Sequence, residues 1–165
     1  MMSEQKEALR PALFVDLDNT VRETLTGRAH PIWPEDQTLR PGALERLEEY
    51  RARGYAIVGV TNQGGVALGT ISEQDVVEIN QYLQERLAPG VFDLILYCPH
   101  HPYGYIRAYT RDAACRKPRP GMAYEARDRL GLDLSASLMV GDMEVDRLFA
   151  ENAGIPVFYW AHEFF

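Results

Sequence analysis

Two aspartates that stand two residues apart, Asp16 and Asp18, are the first candidates for chemistry in this sequence. They follow an apolar run at residues 11–15, and residues i and i+2 of a strand point to the same face. Two carboxyl groups held close together resist double ionisation, so one of them should have a raised pKa. Such a pair could hold one ionised nucleophile and one protonated general acid. Because Asp and Asn also favour turns, the segment taken alone is as consistent with a turn as with an active site.

Three further segments carry groups that could bind a phosphoryl group or a metal ion. Residues 61–65, Thr-Asn-Gln-Gly-Gly, combine a hydroxyl with backbone amides that glycine leaves accessible to a ligand. Arg116 and Lys117 are two cations in a proline-containing loop, and Asp142 and Asp146 are two acids at the start of a predicted helix. Each segment also has an ordinary alternative, which is a glycine turn, a solvated pair of cations and a helix N-cap respectively.

The elements that must position these residues follow from an alternation of apolar runs and amphipathic helical patterns. The predicted strands cover residues 11–16, 55–60, 94–97, 137–140 and 155–159. The predicted helices cover residues 42–53, 72–87, 122–130 and 144–153. This order predicts an α/β fold, a single Rossmann-like domain with a five-stranded parallel sheet, helices on both faces and no large cap domain. Ligands bind such sheets at the carboxyl ends of the strands, where Asp16, Thr61 and Asp142 would converge.

Length and composition are typical of one soluble globular domain. The chain has 165 residues, of which 46% are hydrophobic and 25% charged, and its formal net charge is −7. We expect a solvated tail over residues 1–10, which lack the apolar stretch of a signal peptide, and one domain over residues 11–165. No apolar run reaches about 18 residues, so a transmembrane helix is not expected and the cytoplasm is the expected compartment. The negative charge argues against a large nucleic-acid interface. The expected oligomeric state is a monomer or a weak homodimer.

In their order, their position after successive strands and their chemistry, the four segments resemble the motifs of the haloacid dehalogenase superfamily. The resemblance covers residues 13–158 and implies a phosphatase that forms an aspartyl-phosphate intermediate. It implies that Asp16 is the nucleophile, and that Asp18 is the general acid that protonates the leaving alcohol and then activates water. It also implies that the Thr61 hydroxyl binds the phosphoryl group and that Lys117 neutralises charge between the nucleophile and the phosphate.

The same resemblance implies a magnesium ion. Its ligands would be the carboxylates of Asp16 and Asp142 and the backbone carbonyl of Asp18, with Asp146 supporting them from behind. Magnesium prefers oxygen ligands and takes few of them from protein, which suits so sparse a set.

Substrate contacts are expected from residues around the same rim. Asn62 and Arg116 are the predicted substrate-binding residues, and the guanidinium fork of Arg116 suits a second anionic group. Without a cap domain, specificity should come from the surrounding loops, which are Arg22 and Glu23 after the first motif, residues 64–69, and residues 99–116.

The only cysteines of the chain, Cys98 and Cys115, are too few for a disulfide framework, and a metal site or free thiols are expected instead. Residues 98–102, Cys-Pro-His-His-Pro, and the later residues 115–122 are similar to segments of the bacterial heptose bisphosphate phosphatases. They are also similar to the phosphatase domain of histidinol-phosphate phosphatase. Those proteins close a zinc site with Cys-x-His and a later Cys-x-Cys.

That similarity implies a structural zinc site here, with the ligands Cys98, His100 and Cys115. Structural zinc takes four ligands, and Ala113 stands where the first cysteine of the later pair would be. His101, Asp112 or a water molecule could supply the fourth ligand. The alternative is a metal-free loop that keeps its shape.

These observations predict a magnesium-dependent phosphomonoesterase that acts through an aspartyl-phosphate intermediate. The expected substrate is a small phosphorylated metabolite, such as D-glycero-D-manno-heptose 1,7-bisphosphate or histidinol phosphate. An alternative is a polynucleotide 3′-phosphatase, because residues 27–41, which include Trp33, are similar to members of that group in the same superfamily. A catalytically lapsed interaction domain is a third hypothesis, against which the intact acids and lysine argue. The aromatic residues 158–165 are expected to pack on the core.

Overall fold

The structure is a computed structural model and describes residues 8–165, so residues 1–7 of the predicted tail lie outside the described residues. Its strands in chain order are β1 (Ala12–Val15), β2 (Arg22–Glu23), β3 (Thr38–Leu39), β4 (Ala56–Asn62), β5 (Leu94–Cys98), β6 (Leu138–Gly141) and β7 (Val157–Trp160). Five of them form one parallel sheet in the order β5-β4-β1-β6-β7, and β2 and β3 pair as a separate antiparallel ribbon. The five-stranded parallel sheet predicted from the alternating pattern is confirmed.

Helices connect successive strands of this sheet, as the amphipathic patterns predict. They are α1 (Ala43–Ala52), α2 (Gly65–Leu68), α3 (Glu73–Tyr82), α4 (Gly121–Leu130) and α5 (Glu144–Ala153), and a further helix, α6 (Ala161–Phe164), follows the last strand. A π-helical turn (Leu83–Leu87) extends α3, and 3₁₀ turns lie at Arg107–Tyr109 and Leu134–Ala136. At the start of α3, the Ser72 hydroxyl accepts from the Asp75 amide and the Asp75 carboxylate accepts from the Ser72 amide, which is a capping box.

The central strands β1, β4 and β6 are buried on both faces, because alternate residues point in opposite directions and a hydrophobic core covers each face. Phe14 packs on one face against Phe149 of α5, with ring centroids 6.3 Å apart, in a core that also contains Met122 of α4. Leu13 points to the other face, into a second core that contains Leu47 of α1. Strands that are buried on both faces need apolar side chains at consecutive positions, which explains the uninterrupted apolar runs in the sequence.

The connections at the carboxyl ends of the strands are loops and short turns. Within residues 8–165, the long segments 24–37 and 99–120 contain no additional domain, so the prediction of no large cap domain is confirmed. None of the helices in the described part of the chain is long and apolar enough to cross a membrane.

The aromatic C-terminus packs on the second core, as expected. Phe164 is 6% exposed, and its ring lies 5.4 Å from that of Tyr50 and 5.5 Å from that of Tyr159. The guanidinium of Arg46 lies 4.6 Å from the centre of the Phe164 ring. The last residue, Phe165, is half-buried.

We expect Phe164→Ala to lower the free energy of unfolding by about 3 kcal/mol, because it removes a buried ring and leaves a cavity. Urea denaturation followed by circular dichroism measures this change. Tyr105→Ala is the control, since Tyr105 is 84% exposed and its loss should change stability by no more than about 0.5 kcal/mol. Equal unfolding midpoints for the two variants would contradict the prediction.

Candidate active site

A cavity of about 310 Å³ lies at the carboxyl ends of β1, β4 and β6. Asp16 follows β1, Thr61 lies near the end of β4, and Asp142 follows β6, so that the three strands bring together the residues predicted to converge. The predicted site residues that line the cavity are Asp16, Asp18, Thr61, Asn62, Arg116, Lys117, Asp142 and Asp146. Asn19, Ala29, His30, Met143 and Val145 complete its lining.

Lys117 is the buried cation at the centre of this site. It is 3% exposed, and its Nζ donates to Asp16 Oδ1 at 2.8 Å, to Asp146 Oδ1 at 2.7 Å and to the Val60 carbonyl at 2.8 Å. Three acceptors match the three donors of an ammonium group. The ammonium group of Lys117 is therefore fully hydrogen-bonded. Lys117 and Asp16 lie far apart in the sequence, and the fold brings them together at the carboxyl end of the sheet.

Asn62 holds the backbone on both sides of Lys117. Its Oδ1 accepts from the Lys117 amide at 2.9 Å, and its Nδ2 donates to the Lys117 carbonyl at 3.0 Å. This positioning task was not predicted from the sequence, which assigned Asn62 to substrate binding alone. Arg116 is half-buried beside it and donates to the His100 carbonyl at 3.3 Å. Burial lowers the pKa of the Arg116 guanidinium, while Asp112 acts in the opposite direction.

Carboxylate oxygens of Asp16, Asp142 and Asp146 lie within 4.8 Å of one another. Asp146 Oδ2 also accepts from the backbone amides of Asp142 and Met143, at 3.2 and 3.1 Å, while its Oδ1 accepts from Lys117. Asp146 is thus engaged by donors of the protein, and its support of the magnesium ligands stays a prediction. The oxygen donors of this cluster fit a magnesium ion, which prefers carboxylate oxygens and retains several water ligands.

The chain is similar in sequence to known phosphatases. A family model described as "Polynucleotide kinase 3 phosphatase" matches residues 12–165. The D-glycero-beta-D-manno-heptose-1,7-bisphosphate 7-phosphatase of Escherichia coli K12 is 37% identical over 151 residues, which are 89% of this chain and 78% of the relative. That of Salmonella typhi is 39% identical over 147 residues, or 88% of this chain and 77% of the relative.

Among solved structures, a HAD-like phosphatase from Mesorhizobium loti has a TM-score of 0.79 and 36% sequence identity, covering 89% of this chain and 70% of that one. This chain belongs to the haloacid dehalogenase superfamily of phosphatases. The D,D-heptose 1,7-bisphosphate phosphatase of B. bronchiseptica, crystallised with magnesium and phosphate, has a TM-score of 0.74 and 29% identity. It covers 89% of this chain and 78% of that one.

Among the acids of this phosphatase, Asp16 has the most perturbed pKa. Burial raises the pKa of Asp16 to about 8, Lys117 acts to lower it, and the charges of Asp146 and Asp18 add to the increase. Burial alone would lower the pKa of Lys117, but the charges of Asp16 and Asp146 leave it raised. Two carboxylates that share one buried ammonium cannot both be fully balanced by it, so Lys117 offsets only part of the effect of burial on the pKa of Asp16.

In magnesium-free buffer we expect the free energy of unfolding to fall as the pH rises. The pKa of folded Asp16, about 8, lies above the ordinary value of 3.8 for an unfolded carboxyl. The stability gained from its protonated form is complete below the unfolded pKa and is lost as the pH rises through the folded pKa. Urea denaturation across this range should therefore show a widening stability advantage of Asp16→Asn over the wild type. The exposed control Asp128→Asn should follow the wild type, and parallel curves for all three proteins would contradict the prediction.

Two side chains that the sequence did not single out form hydrogen bonds with Asp16 and with Thr61. The Thr20 hydroxyl is buried and lies 3.1 Å from Asp16 Oδ2 and 3.3 Å from Asp142 Oδ1, bridging β1 and β6. The Gln63 amide donates to Thr61 Oγ1 at 2.9 Å and to Asp18 Oδ2 at 2.9 Å. Thr20 and Gln63 lie within the first two motifs, which could have indicated a place in the site. A Thr or Gln in a turn is too common to be informative alone.

The cysteine loop differs from its prediction. Cys98 and Cys115 form a disulfide, so neither sulfur is a thiolate and neither can serve as a zinc ligand. His100 is engaged as well, because its Nδ1 donates to the Tyr109 carbonyl at 3.2 Å and its Nε2 faces Arg111 at 3.0 Å. The zinc site predicted from these three residues is not supported, and the expectation of a metal or free thiols over a disulfide was wrong.

The physical reason lies at Ala113. Because position 113 is not a cysteine, only the thiols of Cys98 and Cys115 meet at this end of β5, and they bond to each other. The side chains considered as fourth ligands are also used otherwise, since Asp112 pairs with Arg119 at 2.6 Å and His101 Nδ1 accepts from the Tyr103 amide at 3.1 Å.

We expect the protein purified without reductant to contain no stoichiometric zinc and no reactive thiol. Elemental analysis and thiol titration measure both quantities. The matched variant Ala113→Cys restores the later Cys-x-Cys spacing, and its reduced form should bind zinc because three thiolates then meet near His100. One zinc ion per wild-type chain would contradict the disulfide.

Proposed function

We propose that this phosphatase hydrolyses a small phosphorylated sugar, with D-glycero-D-manno-heptose 1,7-bisphosphate as the first candidate. The observation that carries the proposal is the buried carboxylate of Asp16, which lines the cavity and is paired with Lys117 beside the acidic cluster. The choice of sugar is supported by the names of relatives that are 37–39% identical over most of the chain. Histidinol phosphate, a small phosphate ester that is not a sugar, is a second candidate substrate.

In the first half of the proposed reaction, an Asp16 oxygen forms a bond to phosphorus and the bond between phosphorus and the leaving oxygen breaks. Asp18 donates a proton to that leaving oxygen, so that an alcohol departs. Thr61 Oγ1 already accepts from Gln63, which leaves its own O–H to donate to a phosphoryl oxygen. Lys117 reduces the repulsion between the Asp16 carboxylate and the anionic phosphate.

In the second half, water attacks the phosphorus of the aspartyl-phosphate and gives up a proton to Asp18. The bond between phosphorus and Asp16 breaks, which regenerates the carboxylate and releases inorganic phosphate. Magnesium held by Asp16, Asp142 and the backbone carbonyl of Asp18 would supply further neutralisation of phosphoryl charge. Asp146 keeps the lysine and the loop after β6 in place through its bonds to Lys117, Asp142 and Met143.

The size of the cavity suits a compact substrate, and Arg116 and Lys117 are the cations in its lining that could face an anionic group. The cavity volume of about 310 Å³ is at the lower end of the range for small-molecule sites. Arg116 lies on its wall, and we propose that its guanidinium binds a second phosphate group. We further propose that the enzyme works in the cytoplasm as a monomer or weak homodimer, which gel filtration and cell fractionation test.

A polynucleotide 3′-end is a second candidate substrate, favoured by the description of the matching family model. Tyr103 and Tyr105 are 81% and 84% exposed in the loop that carries Arg116, and such rings can stack on bases. The net charge of −7 argues against extended contacts with a phosphate backbone. The proposal therefore places a small sugar phosphate first.

Phosphate release from a substrate panel tests this proposal. The panel contains heptose 1,7-bisphosphate, histidinol phosphate and a 3′-phosphorylated oligonucleotide, each with magnesium and with EDTA. Heptose 1,7-bisphosphate should give the highest kcat/KM with magnesium and no turnover with EDTA, and Asp16→Asn reports any contaminating phosphatase. The highest kcat/KM on the oligonucleotide would transfer the proposal to nucleic-acid ends. Silence of the wild type on all three would overturn it and favour a lapsed enzyme.

A further inference from the structure

Arg22 has a different place from the one predicted for it. The sequence suggested a loop residue that contacts substrate, but Arg22 is 1% exposed and is not among the residues that line the cavity. It is the largest of the fully buried side chains, and it carries a charge. Burying a charge is costly unless a partner and hydrogen bonds compensate for it, so its contacts need an explanation.

The partner of Arg22 is Asp18. Arg22 Nε donates to Asp18 Oδ1 at 2.8 Å, and Gln63 Nε2 donates to Asp18 Oδ2 at 2.9 Å. Both carboxyl oxygens of Asp18 are thus held by donors, one on each side. Each oxygen of a carboxylate has two acceptor positions, so these bonds fix the orientation of the group and still leave positions for a proton or a water molecule.

The guanidinium is itself held from behind. Arg22 Nη1 donates to Asn80 Oδ1 of α3 at 3.0 Å and to Gln37 Oε1 at 3.4 Å. Gln37 is anchored in turn by the carbonyls of Pro34 and Ile79, at 2.7 and 3.0 Å. Asn80 and Gln37 are 5% and 3% exposed, so a buried polar network connects α3 and the loop after β2 to the carboxyl of Asp18.

We propose that Arg22 is a positioning residue that orients the carboxyl of Asp18 for proton transfer to the leaving oxygen. The inference rests on the proposed function, because Asp18 acts as the general acid only if the chain works as a phosphatase. A buried guanidinium that donates to two buried amides, of which Gln37 is itself held by two carbonyls, provides an orientation that a solvated side chain could not hold. Arg22 need not touch the substrate to have this effect, and its place outside the cavity wall agrees with that.

Leaving-group dependence separates this role from general structural support. p-Nitrophenolate is a good leaving group that needs little protonation, whereas an alkyl oxygen needs a proton as its bond to phosphorus breaks. We expect Arg22→Met to lower kcat/KM about 100-fold on the alkyl phosphate that the wild type turns over best. On p-nitrophenyl phosphate kcat/KM should change little, because kcat/KM reports only the steps up to departure of the leaving group. The later attack of water, which also uses Asp18, is common to both substrates and does not enter this comparison. In an Asp18→Asn background, Arg22→Met should cause no further loss on the alkyl phosphate.

Asp36→Ala is the matched control for lost stability. Asp36 is also 1% exposed and anchors the same loop through Thr26, but the structure shows no hydrogen bond from it to Arg22 or Asp18. The Asp36→Ala variant should have lower thermal stability than the wild type but the same ratio of activity on the alkyl phosphate to activity on p-nitrophenyl phosphate. If Arg22→Met does not fold, Asn80→Leu removes the 3.0 Å anchor of the guanidinium and should lower the alkyl rate relative to the aryl rate in the same direction.

The outcomes distinguish this inference from the function on which it rests. A wild type that hydrolyses neither phosphate with magnesium defeats the proposed function, and the positioning role with it. A wild type that is active on both, together with an Arg22→Met variant whose kcat/KM falls equally on both, defeats the positioning role alone. A selective loss of the alkyl rate that vanishes in the Asp18→Asn background supports it.

Discussion

Asp16→Asn should reduce phosphate release to background, a loss of about 10⁶-fold in kcat, while the protein remains folded. The amide has nearly the shape of the carboxyl but cannot attack phosphorus, so no aspartyl-phosphate forms. Stability should be unchanged or higher in magnesium-free buffer, because Lys117 then has one buried carboxylate partner, Asp146, in place of two. Loss of activity without loss of stability is the expected result if Asp16 is the nucleophile and its buried charge does not favour folding.

Phosphate release and urea denaturation of the same preparation measure both parts of this prediction. Asp128→Asn makes the same chemical change at an exposed position and should match the wild type in both assays. Turnover of the Asp16→Asn variant at a tenth of the wild-type rate or more would rule out covalent catalysis by Asp16. Loss of folding would show instead that the Lys117 network depends on the Asp16 charge.

Lys117→Met should lower both activity and stability. Removal of the ammonium leaves Asp16 and Asp146 as buried carboxylates without their shared partner, and breaking a buried ion pair costs about 3 kcal/mol or more. On the proposed mechanism kcat should fall about 100- to 1,000-fold, which is the scale for removal of one group that stabilises transition-state charge.

A second substitution shows whether the lost stability has this cause. Asp146→Asn in the Lys117→Met background removes one of the unpaired charges and should recover part of the unfolding free energy, although not the activity. Arg119→Met is the control, because Arg119 lies two residues away in an exposed ion pair with Asp112 and should cost no more than about 1 kcal/mol. If Lys117→Met and Arg119→Met unfold at the same urea concentration, the buried lysine does not hold the site together.

The fold and the composition of the rim could be predicted because a parallel sheet leaves a strong pattern in the sequence. Strands buried on both faces appear as apolar runs, and connecting helices appear as amphipathic segments between them. The carboxyl ends of the strands are then known, and with them the neighbourhood of Asp16, Thr61 and Asp142. The site residues named from the motifs all line one cavity for this reason.

The cysteine loop shows where a pattern of residue types was insufficient. Cys98, His100 and Cys115 have the identities of zinc ligands, but coordination depends on where their donor atoms point. The two sulfurs pair with each other, and the ring of His100 is turned to Tyr109 and Arg111. Neither fact is local in sequence, because each depends on how residues 99–120 fold back onto the end of β5.

The same limit explains Arg22 and Asn62. Read along the chain, Arg22 is a polar residue in a loop, and only the packing of α3 and Gln37 around it makes it a buried partner of Asp18. Asn62 lies in a segment predicted to bind a phosphoryl group, yet its amide holds the backbone of Lys117, 55 residues further on. Local periodicity determines which segments form strands and helices, whereas the partner of a buried polar group is chosen in three dimensions among residues far apart in the chain.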